Sequence, residues 1–359
     1  MVVTRSETVE AKEAYSRLTA RKILFILVGL GGLVALVLVA TSLGSADLGV
    51  NSVASAIAAR VFPFLNLEVS SKVDVIVWDI RLPRIVLGVV AGAGLAISGA
   101  VMQGIMRNPL VSPFTVGISS AAGFGASVAI IFGAGMVGSG KYLVITNAFA
   151  FALLASFLVY GLARIRGMRP ETLILSGIAL MYFFSAATSL LQYIATEQEL
   201  HAVVHWLFGS LTGASWENIL VVLIIFFCCL PFLIKYSWDL NAMVAGDDVA
   251  TTLGVNTRRV RTVCMALATL ITAGIICFTG IIGFVCLVAP HITRMIIGAD
   301  HRFLLPCSCI LGGLLLVGAD TIGRTAFQPT TIPVGIVVSI IGVPFFVYLI
   351  LRTRKEYFQ

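Results

Sequence analysis

Two arginines beside an apolar run are the first residues of this chain whose type and spacing could do chemistry. Arg81 and Arg84 come directly before an apolar run that begins at Ile85. Guanidinium groups at such a border can pair with carboxylates of a partner molecule, or they can simply reach toward water. Arg324 follows Asp320 by four residues near the end of another apolar run, so these two side chains could pair with each other. The residues alone leave docking, local pairing and snorkelling open.

A second constellation combines one glutamate with two histidines. Glu197, His201 and His205 fall at i, i+4 and i+8, which places them on one face of a helix. Imidazole and carboxylate groups are common metal ligands, so an external metal or haem contact is one interpretation. The other is the solvent-facing side of an amphipathic helix, which needs no ligand.

Sequence motifs for nucleotide binding and hydrolysis do not point to an enzyme. Gly135-x4-Gly140-Lys141 resembles the start of a phosphate-binding loop, but Tyr142 stands where Ser or Thr should ligate magnesium. The zinc-protease and serine-hydrolase signatures are absent from the sequence. The seven cysteines include no C-x-x-C pair. We therefore expect no metal or cofactor bound by this chain, and no catalytic residue.

The composition shows which elements must position these residues. The chain has 359 residues, of which 59% are hydrophobic and 11% charged, and its mean hydropathy is +1.03. Apolar runs of about 20 residues match the length that a helix needs to cross a bilayer. Their continuous, non-alternating pattern favours helices over a β-barrel. The sequence predicts an all-α integral membrane protein with ten spans, at roughly 23–43, 84–105, 113–134, 142–163, 171–194, 218–236, 259–279, 281–297, 304–322 and 334–351.

The distribution of basic residues predicts the orientation of these spans. With both termini cytoplasmic, 18 of the 24 Lys and Arg residues lie on the inner side, as the positive-inside rule requires. This asymmetry accounts for the net charge of +7 without a nucleic-acid partner. Residues 1–22 are then a cytoplasmic segment, 23–352 the membrane domain and 353–359 a cytoplasmic tail. The six basic residues left outside are Arg60, Lys72, Arg81, Arg84, Lys141 and Arg324.

The predicted inner loop 237–258 contains a short helix. Asp247 can cap its N-terminus, and Gly254 is placed to end it in the left-handed conformation. Asn256 or Thr257 can cap the span that follows. A stiff helix of this kind suits a groove on another protein, although a structured turn without a partner is the other interpretation. The rest of this helix consists of Asp248 in its first turn and an apolar face of Val249, Ala250 and Leu253.

Ordered motifs along about residues 45–352 resemble one family. They are Arg81-Leu82-Pro83-Arg84, Gly99-x3-Gln103-Gly104-x3-Asn108-Pro109-Leu110-x2-Pro113-x3-Gly117, Trp206-x2-Gly209-Ser210-Leu211, Leu253-Gly254-Val255, Gly280-x2-Gly283-Phe284-x2-Leu287-x2-Pro290-His291-x2-Arg294, Asp300-His301-Arg302 and Pro333-x-Gly335-x6-Gly342-x-Pro344-x-Phe346. In this order they resemble the FecCD-type permease subunits of binding-protein-dependent ABC importers for iron–siderophore complexes, haem and cobalamin.

The resemblance implies a set of partners. Such permeases have ten membrane helices, pair with a second permease copy and bind two cytoplasmic ATPase subunits, which hold the ATP and magnesium. An external substrate-binding protein docks on the outer side, where Arg81, Arg84 and Arg324 match the docking positions. The ATPase subunits would contact Ala245, Gly246, Asp247, Asp248, Ala250, Leu253, Gly254 and Val255. The resemblance implies an iron–siderophore complex as cargo first, with haem or cobalamin as the alternatives.

Two further sets of residues complete the predicted transport machinery. Small residues such as Gly88, Gly92 and Ser98 permit close approach of neighbouring helices. The fifth span carries small and polar residues that could line the translocation path, namely Ser176, Gly177, Ser185, Thr188, Ser189 and Gln192. The inner hairpin after the second span is marked by Gln103, Asn108, Pro109 and Pro113.

A secondary active transporter is the main alternative from another class. It should carry an acidic or basic relay near the middle of the bilayer. Asp320 lies near the end of a span and Glu171 at the start of one, so the sequence offers no such relay. We expect a multi-pass protein of the cytoplasmic (inner) membrane that is energised by partner chains.

Overall fold

The fold consists of helices. The computed structural model describes residues 5–44, 48–135, 140–326 and 328–352, and every regular element in those ranges is helical. Besides the α-helices there are a 3-10 turn at Pro63–Leu65 and a π-helical turn at Ile76–Arg81. The α-helices are α1 (Arg5–Ser42), α2 (Val50–Val61), α3 (Ser71–Val75), α4 (Leu82–Met106), α5 (Ile118–Phe132), α6 (Lys141–Ile165), α7 (Pro170–Ile194), α8 (Glu197–Leu207), α9 (Trp216–Lys235), α10 (Ser237–Val244), α11 (Asp247–Thr252), α12 (Thr257–Thr279), α13 (Val285–Ile297), α14 (His301–Thr325) and α15 (Val334–Arg352).

Each predicted span corresponds to one of these helices. Seven of the spans, in α1, α4, α6, α7, α9, α12 and α14, are long and apolar enough to cross a membrane by length and composition. The other three, in α5, α13 and α15, are shorter apolar helices. The predicted all-helical membrane class is therefore confirmed. Between the first two spans lies the short helix α2, which buries Val53 and Ala56.

Several span boundaries were predicted wrongly, each for a local reason. The second span continues back to Ser71, because the π-helical turn carries the helix through charged residues that the apolar pattern excluded. Helix α13 begins at 285 rather than 281, because Gly280 and Phe284 have φ angles of 68° and 62° that interrupt a right-handed helix. Helix α14 begins three residues early because the Asp300 carboxylate accepts a capping bond from the Arg302 amide at 3.1 Å.

Helix α4 is the centre of the bundle. In its most apolar window 83% of the residues are buried, against 6% for α1, and it packs against α9, α12, α13 and α14. Gly92 allows a close approach, since a Cβ atom there would collide with the main chain of Gly312 on α14. Gly99 meets the main chain of Cys286 on α13 in the same way. Ser98 is fully buried, and a Cβ on Gly88 would lie 3.2 Å from both Leu211 and Val317. These small residues are therefore positions of close helix packing.

The two ends of α4 define the two functional regions. Its first turn lies beside the C-terminal ends of α1 and α14, and we call this the outer end after the predicted topology. Its last turn lies beside the start of α12 and the end of α13, and we call this the inner end. Residues 5–22 of the predicted N-terminal segment continue the first span as a single helix. The predicted tail, 353–359, lies outside the described residues.

Candidate functional site

At the outer end, two arginines share one carboxylate. Arg84 Nη2 donates to Asp320 Oδ1 at 2.8 Å, and Arg324 Nε donates to Asp320 Oδ2 at 3.0 Å. Asp320 is 2% exposed, so it cannot exchange these partners for bulk water. The local pairing of Asp320 with Arg324 that the spacing allowed is thus observed, and Arg84 joins it from another helix. Together the two arginines carry one positive charge more than the carboxylate neutralises.

Arg81 and Arg324 hold the C-terminal end of α1. Arg81 is 5% exposed, and its Nη1 donates to the carbonyls of Thr41 and Ser42 at 2.7 and 2.8 Å. Arg324 donates to the carbonyls of Ala40 and Leu43 at 3.1 and 3.2 Å. The last carbonyls of a helix have no partners within it, so cationic side chains satisfy them well. The structure therefore brings Arg81, Arg84 and Arg324 together and turns them toward protein groups.

At the inner end, helix α11 forms within the predicted loop, but its start differs from the prediction. The N-cap is Gly246, with φ 120°, and Asp247 makes no side-chain cap. Instead the Asp247 carboxylate accepts two bonds from Arg261 Nη2, at 2.9 and 3.1 Å. A guanidinium from another helix outcompetes a local backbone amide, because charge-assisted bonds are the stronger ones.

The C-terminal end of α11 follows the prediction. Gly254 has φ 86°, the Val255 amide donates to the Ala250 carbonyl, and the Gly254 amide donates to the Thr251 carbonyl, each at 2.9 Å. This is a Schellman motif, which stops the helix rigidly. Asn256 caps α12 by accepting from the Arg259 amide at 3.0 Å.

Part of the apolar face of α11 is exposed on the surface of the chain. Ala250 is buried against the bundle, whereas Val249 is 46% and Leu253 69% exposed. Ala245 and Asp248 are exposed as well. Only part of the predicted apolar face therefore packs inward, and the rest is available for contact.

Arg261 is a key inner residue that the sequence did not single out. It is 2% exposed and reaches three separate parts of the chain. Its Nε donates to the Ile105 carbonyl at 3.0 Å, its Nη1 to the Met168 carbonyl at 3.1 Å, and its Nη2 to Asp247. Arg261 thus clamps α11 to the end of α4 and to the turn after α6. The feature of the sequence that could have identified Arg261 is its position one turn inside an apolar helix.

A second inner network surrounds Asp300. Its carboxylate receives Arg302 Nη2 at 2.6 Å and Asn241 Nδ2 at 2.8 Å, and Asn241 Oδ1 accepts from the His301 amide at 2.8 Å. Partial desolvation disfavours the Asp300 carboxylate, but the bonds from Arg302 and Asn241 outweigh it and lower its pKa to about 2. Asn241 belongs to α10, so this network links α10 to α14.

The predicted inner hairpin residues lie between these two networks. Gln103 Oε1 accepts from Arg294 Nη2 at 2.8 Å, which joins α4 to α13. Asn108 Oδ1 accepts from the Leu110 amide at 2.9 Å and closes the turn. Pro113 is buried and Pro109 partly buried, and the turn continues to Ile118, where α5 begins. The hairpin is therefore a packed connection.

The six predicted path residues on α7 face two ways. Gly177 and Thr188 are buried, and Gly177 packs against the main chain of residues 115–116. Ser185 and Ser189 are exposed within this chain, beside Tyr182 and Tyr193. Ser176 and Gln192 are intermediate. The exposed side of α7 therefore carries hydroxyl groups among aromatic rings, while its other side packs on α5.

The histidines proposed as a possible metal contact lie on the surface of α8. His201 and His205 are exposed on α8, which starts with a capping box between Thr196 and Glu199. Among the residues that the structure describes, no group of three His, Cys, Asp or Glu side chains could hold a metal ion. The phosphate-loop-like segment that ends at Lys141 includes residues 136–139, which lie outside the described ranges.

The fold and these two charged ends define a class: a polytopic helical membrane protein that has a rigid short helix fixed at one end of its bundle. The FecCD transport family matches residues 32–352, and the chain belongs to that family of ABC importer permease subunits. It is 44% identical over 293 residues to the cobalamin import system permease protein of Halobacterium salinarum, covering 81% of this chain and 77% of that protein. It is 38% identical over 331 residues to the hemin transport system permease protein of Yersinia pestis, covering 90% and 96%.

A solved structure has the same fold. It is described as "an inward-facing conformation of a putative metal-chelate type ABC transporter", with a TM-score of 0.81 and 32% sequence identity. The similarity covers 91% of this chain and 99% of that one. The predicted family is thereby confirmed, and the chain is a multi-pass membrane protein without a catalytic role of its own.

Proposed function

We propose that this chain is the permease subunit of an importer that moves a bulky metal chelate into the cell across the cytoplasmic membrane. An iron–siderophore complex is the first candidate cargo. Two copies of the chain would form the path, two ATPase subunits would bind ATP and magnesium on the inner side, and a binding protein would deliver cargo outside. The observation that supports this proposal best is that charged arginines converge at one end of α4, whereas the exposed helix α11 is fixed at the other.

The outer end supports docking of an acidic partner through its charge. Within the part of the chain that the structure describes, Arg84 and Arg324 share the one carboxylate of Asp320, so a positive charge remains. A partner carboxylate that approaches this region meets attraction that steers association. Because Arg81, Arg84 and Arg324 already hold structural bonds, they are preorganised and lose little side-chain entropy on docking.

The inner end supports coupling through rigidity. Val249 and Leu253 offer an apolar contact for an ATPase groove, and the Schellman motif and Arg261 fix the helix that carries them. A push on α11 would therefore pass directly to α4 and α12 through Arg261. Tilting of packed helices between two arrangements is a common route for such motion.

The exposed side of α7 supports a path that binds cargo weakly. Ser185 and Ser189 provide hydroxyl groups, and Tyr182 and Tyr193 provide aromatic surface. In a dimer this side would face the central path and offer few strong contacts to a large chelate.

Haem and cobalamin are the alternative cargoes, and the relatives named for hemin and cobalamin support them. The deciding experiment places the chain, its ATPase subunits and its binding protein in proteoliposomes. A ferric siderophore, haem and cobalamin are then compared for stimulation of ATP hydrolysis. The siderophore should stimulate most, and stimulation by haem or cobalamin alone would replace the first candidate. Uptake without ATPase subunits would instead indicate a secondary transporter.

A further inference from the structure

A cavity of about 400 Å³ opens at the inner end, between the start of the apolar part of α1 and the end of α13. Arg21 and Lys22 line one part of it. The rest is lined by apolar side chains, namely Leu24, Phe25, Val28, Ile296 and Ile297. The cavity is therefore cationic at one edge and apolar along its length, which is the pattern of an amphiphile.

The cationic edge keeps its charge despite a nearby carboxylate. Lys22 Nζ lies 4.0 Å from Asp300, but that carboxylate is already bound by Arg302 at 2.6 Å. Arg21 is exposed. Among the described residues, Lys22 and Arg302 thus share the Asp300 carboxylate, and with Arg21 beside them this edge carries a surplus of positive charge that an anion would neutralise.

The apolar wall is exposed as lipid-facing surfaces are. Leu24 is 59%, Val28 64% and Ile296 56% exposed. Leu24 and Val28 lie within a span long enough to cross the membrane, and Ile296 lies on the shorter apolar helix α13 packed beside it, so hydrocarbon rather than water surrounds this wall. A chain of methylene groups fits such a wall without leaving any polar group unpaired.

An aromatic residue indicates the depth of this site. Trp238 is 64% exposed, and the Arg302 guanidinium lies 4.1 Å from its ring centroid. Exposed tryptophans concentrate where hydrocarbon meets headgroups. Because Arg302 also binds the carboxylate next to Lys22, the cationic edge lies close to this headgroup level.

We propose that this cavity binds one anionic phospholipid, with its phosphate-bearing headgroup at Arg21 and Lys22 and an acyl chain along Leu24, Val28 and Ile296. Basic pockets between spans at the cytoplasmic side have the chemistry that anionic headgroups require. A docked protein helix would not need two adjacent cations beside a wall that already faces lipid. The site borders the Asp300 network, so the lipid would contact the part of the bundle that also holds α10.

The test uses the purified full-length chain in detergent and native mass spectrometry. Dioleoyl phosphatidylglycerol, dioleoyl phosphatidylcholine and inorganic phosphate are added separately. Phosphatidylglycerol should remain bound at the lowest concentration, and the Arg21→Ala/Lys22→Ala variant should bind it roughly 25-fold more weakly, about fivefold for each interfacial cation. Arg166→Ala is the matched control, because Arg166 is exposed and does not line this cavity.

Three results would overturn the proposal. One is equal retention of phosphatidylcholine, which would show that the cations do not select the headgroup. Another is an equal loss in Arg166→Ala, which would indicate a diffuse basic surface. The third is binding of inorganic phosphate as tight as that of the lipid. A Leu24→Ala/Val28→Ala variant should weaken lipid binding severalfold and leave phosphate binding unchanged if the acyl chain is seated as proposed.

Discussion

The two ends of α4 use arginine in opposite ways. At the inner end, Arg261 and Arg302 each bind a different carboxylate, Asp247 and Asp300, and each acts as a clamp between helices. At the outer end, Arg84 and Arg324 share one buried carboxylate, Asp320, and a positive charge is left over between the two helices. Both sets are largely buried, so exposure does not distinguish them. The number of carboxylates per clamping arginine does, one each at the inner end and one for two at the outer end.

The largest effect is expected when the inner clamp, Arg261, is removed. Arg261→Ala leaves the buried Ile105 and Met168 carbonyls and the Asp247 carboxylate without their donor. We expect a loss of about 3 kcal/mol in the free energy of unfolding, because orphaned buried acceptors are costly. Thermal unfolding of the purified chain measures it. Arg259→Ala, an exposed arginine two residues away, should unfold as the wild type does, and an equal loss there would contradict the clamp.

Neutralising the shared outer carboxylate should change both stability and the rate of association with a binding protein. The loss of stability should be smaller than in Arg261→Ala. Asp320→Asn leaves Arg84 and Arg324 close together without a counter-charge, which should cost about 2 kcal/mol of stability. The same change raises the outer positive charge, so association with an acidic binding protein at low salt should become about two- to fivefold faster.

Stopped-flow association and thermal unfolding test both parts. Asp79→Asn changes the net charge equally but removes an exposed carboxylate, so it should not lower stability. A slower association in Asp320→Asn would mean that the arginines serve the bundle alone.

Two glycines in the left-handed conformation, one after α11 and one after α5, allow the two ends of the bundle to be compared directly. Gly254 has φ 86° after α11 and Gly133 has φ 58° after α5, and a Cβ on either would meet no neighbour. Alanine at each should cost about 1 kcal/mol through backbone strain. Only Gly254→Ala should reduce ATP-coupled uptake in proteoliposomes, since Gly254 ends the proposed contact helix. Equal uptake defects in both variants would remove coupling from α11.

The smallest expected effect is a dependence on pH at the inner end. The pKa of Asp300 is lowered to about 2, below its ordinary value, so its bonds stabilise the fold above about pH 4. That contribution should fade as pH decreases from about 4 toward 2. The difference in melting temperature between the wild type and Asp300→Asn should therefore shrink across this range, and a constant difference would show that the charge is irrelevant.

The sequence predicted the bundle well because hydrocarbon imposes simple rules. Runs such as 142–163 must be helical, and the structure differs there by at most two residues at each end. Gly254 was also predictable, since few other residues accept its φ angle. The start of α11 was not, because Arg261 lies 14 residues from Asp247 and only tertiary packing brings them together.

The partners of the outer arginines were beyond local patterns for the same reason. Arg81 bonds to carbonyls about 40 residues away, and Arg84 to a carboxylate 236 residues away. Spacing along the chain showed only the pair at Asp320 and Arg324. The gathering of all three arginines depends on how α1, α4 and α14 cross.

The contact between Gly92 and Gly312 has a consequence for the outer surface. Arg84 lies on α4 and Arg324 on α14, and the main chains of these two helices touch at Gly92 and Gly312. A tilt of one helix therefore carries the other with it. The spacing of the two guanidinium groups is therefore set before any partner arrives. For the docking proposed above, the carboxylates of a binding protein would have to fit this fixed spacing rather than change it.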